Sequence, residues 1–95
     1  MLEFKEDIKK FYLGDSSQNP KAEVTYVNHN KDTIIINHTF VSNELRRQNI
    51  GKELIKRVVD FAREEHKKVI PQCSFALKEF NENKEYNDVL FKENR

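Results

Sequence analysis

Three groups of residues in this chain could do chemistry. The first is a basic loop, Arg46-Arg47-Gln48-Asn49-Ile50-Gly51, followed by Lys52. It sits between a β-rich run and an amphipathic helix, where unpaired amides and the positive end of the helix dipole can seat phosphate oxygens. The same composition also suits a solvated connection. Asn49 is the non-glycine type most at ease in left-handed backbone, and Gly51 permits close backbone approach. The second is the single thiol, Cys73, two residues after Pro71 at the expected start of a short helix. It reads either as a small buried hydrophobe or as a nucleophile at a helix N-terminus. The third is His38, late in the β-rich run, which reads as a hydrogen-bonded strand residue or as a proton acceptor. His29 and His66 look like surface residues, and no Cys/His spacing supports a metal. Glu23, Glu79 and Glu82 cannot be paired from the sequence.

The elements that must position these groups follow from periodicity. A first strand is expected over Asp7–Leu13, with helix as a competitor because the apolar spacing is mixed. Residues 14–20 have turn composition. Ala22, Val24 and Tyr26 alternate with Glu23, Thr25 and Val27, predicting a half-buried strand, and residues 28–32 make the next turn. Thr33–Val41 is rich in β-branched residues, as a central strand requires. These strands predict an antiparallel meander. Ile50, Leu54, Val58 and Phe61 then recur at helical spacing, with Ile55 and Val59 widening the stripe, so a helix is expected from Ile50 to Glu65. Lys68-Val69-Ile70 is a short strand ended by Pro71, parallel to Thr33–Val41 through a right-handed crossover. Ser74–Phe80 and Asn83–Phe91 are expected to be short helices, and residues 92–95 to fray.

Composition narrows the function classes. Ninety-five residues suit one domain over 1–95 with one modest core. Seventeen basic and sixteen acidic side chains leave a net +1, so no global field favours nucleic acid or an anionic membrane. One cysteine allows no internal disulfide, fitting a reducing cytoplasm, and no apolar run is long enough to span a bilayer. A monomer or weak dimer is expected. The loop is neither a Walker loop nor a dinucleotide fingerprint, for want of the required glycines.

Strand, Arg46-x-x-Asn49-x-Gly51, helix, strand and proline together resemble motif A of the GNAT superfamily of N-acetyltransferases, with Asn49 in place of the first glycine. His38-Thr39-x-Val41, Ile70-Pro71-x-Cys73-Ser74-Phe75 and Tyr86 bring the chain closer to a subgroup of minimal GNAT-like domains, the YjdJ type. The resemblance implies an α+β fold in which a meander and a crossover splay two parallel strands. It implies acetyl-CoA, or coenzyme A, as ligand. The amides of Gln48 to Lys52 would ring the diphosphate, and Arg46, Arg47 or Lys52 would add charge. The pantetheine arm would lie in the splay beside Thr39, Phe40 and Val41. Ordinary members often continue with Asn-x-x-Ala-x-x-x-Tyr, whose tyrosine protonates the departing thiolate. In register, Cys73 falls on that motif's asparagine, Ala76 on its alanine and Phe80 on the tyrosine, and Phe80 cannot donate a proton. Acetyl transfer would then run by direct attack of an amine, with His38 or water as base, or through Cys73. The acceptor would be an amine, such as a lysine or the N-terminus of a protein. The alternative is a CoA-binding or regulatory module without turnover.

Overall fold

The computed structural model describes residues 4–7, 9–14, 18 and 20–92. Five strands form one sheet in sequence order: β1 (Phe4–Asp7), β2 (Lys10–Leu13), β3 (Ala22–Asn30), β4 (Thr33–Val41) and β5 (Lys68–Pro71). The first four pair antiparallel, and β5 joins β4 in parallel. Among the described residues, two α-helices accompany the sheet, α1 (Ile50–Glu64) and α2 (Ser74–Glu82). This is the α+β architecture expected from the sequence.

The N-terminal part departs from expectation in a specific way. The single strand expected over Asp7–Leu13 is two strands of a tight hairpin, with Asp7 opposite Lys10 and Lys9 in left-handed backbone at φ 60°. The mixed spacing that left helix in contention has this origin, because a reversal interrupts the alternation. Of the turn expected over 14–20, Gly14 has φ 135° and the Lys21 amide donates to the Leu13 carbonyl at 2.8 Å. The rest of that turn lies largely outside the described residues, as do residues 93–95.

The second C-terminal helix, expected over Asn83–Phe91, is a single 3-10 turn, Lys84–Tyr86. The chain then extends, and Leu90 bridges to Val69. The Val69 amide donates to the Val89 carbonyl at 2.7 Å, and the Phe91 amide to the Val69 carbonyl at 2.9 Å. The unpaired edge of β5 takes these groups, and edge pairing overrides local helix preference. Arg63 reinforces the junction through a two-pronged contact with Asp88, at 2.9 Å from Nε and from Nη2.

The core lies between the sheet and the helices. Leu54, Ile55, Val58, Val59 and Ala62 of α1 are fully buried against Val24, Ile34, Ile36 and Val69. Truncating Leu54 to alanine would cost about 2–5 kcal/mol, the usual range for a filled site of this kind. Phe11, Tyr26 and Phe61 close one end, with ring centroids 5.4–6.2 Å apart. Phe80, fully buried, packs on Tyr86 at 5.5 Å. Among the described residues, no helix is long and apolar enough to cross a membrane.

Candidate active site

A β-bulge decides which side chains of β4 face the helices. Thr25 pairs with His38, but the next residue, Tyr26, pairs with Ile36, so Asn37 is an extra residue in β4. Such an insertion reverses the alternation of faces. Before it, Ile34 and Ile36 point into the core. After it, Thr39 and Val41 take the helix side, because their partners Val24 and Ala22 are buried there. His38 and Phe40 turn to the opposite face. His38 lies there with its side chain 56% exposed and Nε2 3.6 Å from Glu23 Oε2. Phe40 is 41% exposed. Thr25 Oγ1 donates to Asn37 Oδ1 at 2.7 Å, tying the bulged residue to β3.

Beside Thr39 and Val41 the two parallel strands part. The register of β5 on β4 ends with Pro71 opposite Ile36. The amides of Gln72 and Cys73 both converge on the Ile36 carbonyl, at 3.0 and 3.2 Å. Past this vertex β5 has left, and the splayed edge of β4 opens into a cleft of about 350 Å³. Val41, Leu45, Ile50 and Phe75 give it apolar walls, and Thr39 lies toward the vertex.

The basic loop forms the other end. Arg46, Arg47, Asn49, Gly51 and Lys52 line the cleft, whereas Gln48 and Phe40 do not. Arg47 and Asn49 both have left-handed backbone, at φ 72° and 59°. Alternation of this kind turns successive amides to one side and suits an anion. Asn49 is the N-cap of α1 and makes no side-chain capping bond. The Glu53 amide makes the first turn's bond, to the Asn49 carbonyl at 3.1 Å, so the amides of Ile50, Gly51 and Lys52 have no acceptor a turn back. Arg46 folds onto the stem of the loop and donates from Nε to the Val41 carbonyl at 3.3 Å. Lys52 reaches toward α2, with Nζ 3.3 Å from Oε2 of the buried Glu79. Asn83 Nδ2 donates to the other Glu79 oxygen at 3.4 Å.

A family model for GCN5-related N-acetyl-transferases matches residues 10–89. The NMR solution structure of a GCN5-like protein from Staphylococcus aureus superposes with a TM-score of 0.82 at 42% identity, covering 99% of this chain and 92% of that one. The chain belongs to the GCN5-related N-acetyltransferase family. Among curated proteins, none matches. The family is one of acyltransferases that move acetyl from acetyl-CoA to an acceptor, and this chain has its fold.

The splay, the apolar walls and the unpaired amides at the head of α1 fit such a ligand: a long arm with a diphosphate at one end. Cys73 is the N-cap of α2, and its sulfur accepts from the Ala76 amide at 3.4 Å and lies 3.3 Å from Thr39 Oγ1. The contact spans the splay just inward of the cleft. Phe80 fills the core. The Tyr86 hydroxyl is held above its usual pKa range by burial first and by Glu85 second. No group of three or more metal-binding side chains occurs among the described residues.

Two site features were not read from the sequence as such. Phe75 was legible as an aromatic in a motif and as a packing residue, but its ring is a wall of the cleft, pressed on Gly51. Glu79 gave no signal, because its partner Lys52 lies on another helix, 27 positions away.

Proposed function

We propose that this chain is an acetyl-CoA-dependent N-acetyltransferase that binds the CoA diphosphate on the Arg46–Lys52 loop and takes an amine as acceptor. The observation that carries the proposal is the cleft, which runs from the unpaired amides of Ile50, Gly51 and Lys52 to Thr39 on the splayed edge of β4. Acetyl-CoA supplies an acetyl group activated as a thioester. The chain's own residues do the rest. The loop amides and Arg47 hold the diphosphate, with Arg46 close by on the stem. The unpaired edge of β4 from Thr39 to Val41 offers backbone groups to the arm, and one N–H there steadies the thioester oxygen as charge develops. Thr39 and Cys73 bound the seat of the acetyl group. The proton of the attacking amine passes to water or to His38, which stands with Glu23 on the opposite face of the sheet from Thr39 and Cys73, the face from which the amine enters the splay.

The second reading, a CoA-binding module without turnover, is favoured by one observation. Phe80 is buried and has no proton to give at the position that the resemblance matches to the tyrosine of ordinary members. Turnover separates the two readings. Purified protein is incubated with acetyl-CoA and a library of amines and N-terminal peptides, and released thiol is followed. Thiol release that depends on the acceptor supports the transferase. CoA binding without release across the library supports the module.

A further inference from the structure

Thr39 lines the inner end of the cleft, and Cys73 stands directly behind it. Thr39 comes from β4 and Cys73 from the turn into α2, and their Oγ1 and Sγ atoms meet at 3.3 Å across the splay. Neither is free to move aside. The Cys73 amide is bonded to the Ile36 carbonyl at 3.2 Å, and its sulfur is bonded to the Ala76 amide. Thr39 is β-branched, so its χ1 is stiff, and it sits in the paired part of β3 and β4 opposite Val24. Ile36 at the vertex and Ala76 beside the sulfur are both fully buried, so close-packed core continues there.

The direction in which the cleft is filled follows from its two ends. The unpaired amides and basic side chains stand at the mouth, and the apolar walls lie between them and Thr39. A ligand anchored by its phosphates at the mouth therefore meets Thr39 and Cys73 with its acyl end. We infer that the Thr39–Cys73 contact is a stop that fixes acyl length, so that this chain takes the acetyl thioester and refuses longer, butyryl-sized ones. The inference rests on the proposed CoA reading and adds the acyl specificity and its determinants.

Calorimetric titration of the full chain with CoA, acetyl-CoA and butyryl-CoA tests it. Unmodified protein is expected to bind butyryl-CoA roughly 10- to 200-fold more weakly than acetyl-CoA, the scale on which a filled apolar site refuses surplus methylenes. Thr39→Ala and Cys73→Ala each open the end and should raise the butyryl-to-acetyl affinity ratio. Thr39→Val keeps the branched shape without the hydroxyl, and should keep the discrimination. Equal binding of the two esters by unmodified protein overturns the stop, and this comparison needs no variant to fold. A ratio unmoved in both alanine variants overturns it as well. Failure of CoA itself to bind is a different result, because it removes the reading of the site on which the stop depends.

Discussion

The ring of Phe75 lies over the α-carbon of Gly51 so closely that a Cβ placed there would be 2.7 Å from Cζ and 2.9 Å from one Cε. Gly51 was expected to matter because backbone can approach a phosphate there. Its absent side chain also makes room for the cleft wall contributed by α2. Gly51→Ala should push the ring into the cleft. The atom in the way is the far end of a half-buried side chain, so the stability cost should be about 1 kcal/mol, the lower end of overpacking penalties. The cost to CoA affinity should be larger, and Phe75→Leu in the same chain should recover part of it. Urea unfolding and CoA titration of the two single variants and the double variant check this, since coupling appears only if the residues share the contact.

Arg47 holds left-handed backbone in a side chain that gains nothing from it. Arg47→Gly removes strain on the order of 1 kcal/mol. The variant should be at least as stable as the original chain to urea, while binding CoA more weakly for want of a cation at the mouth. Arg47→Glu should weaken CoA further, by roughly tenfold or more, with an effect that shrinks as salt rises. A variant that lost stability and affinity together would mean that the arginine serves the fold.

Lys52 and Glu79 join α1 to α2, but the two partners are unequally buried: the Lys52 side chain is 53% exposed and that of Glu79 4%. Removing the lysine strands a buried carboxylate, whereas removing the charge of the glutamate leaves an exposed ammonium in water. Lys52→Met is therefore expected to cost about 1–3 kcal/mol, the range for an unsatisfied buried group, and Glu79→Gln less. Chemical denaturation of both variants gives the order, and the reverse order would contradict this asymmetry.

The Arg63–Asp88 pair gives a pH prediction with a definite sign. The guanidinium holds the Asp88 carboxyl below its usual range, first through their hydrogen bond. A depressed folded-state value means that the stabilisation is fully present above the unfolded value and is lost as pH falls through the folded one. Both groups are largely exposed, so the contribution is modest and sensitive to salt. The advantage of the original chain over Asp88→Asn should be constant near neutrality and disappear in acid below the carboxylate range. Thermal melts from pH 7 to pH 2 follow it, and a difference that grows in acid would contradict the assignment.

What was legible in the sequence depended on whether a local pattern carried it. The stripe of α1 from Ile50, the strand through Thr33–Val41 and the stop at Pro71 all announce themselves within a few residues. The resemblance on Arg46, Gly51, Pro71 and Cys73 marked the neighbourhood of the cleft. The bulge at Asn37 has no such signature. Strict alternation would put His38 on the face of Ile34 and Ile36, whereas the extra residue puts Thr39 there and sends His38 to the far side. The β1–β2 hairpin escaped because its turn uses Lys9 rather than glycine or asparagine at positive φ. The contact of Thr39 with Cys73 and that of Lys52 with Glu79 join distant segments, and only the folded chain brings them together.

The most direct test of the site is an amide-resolved NMR titration with CoA, run beside pantetheine, which lacks the diphosphate. The expected result is saturable shifts at Asn49, Ile50, Gly51 and Lys52 and along Thr39–Val41 with CoA, with pantetheine binding far more weakly and sparing the loop. Shifts that leave the loop amides unmoved under saturating CoA would contradict the placement of the diphosphate there.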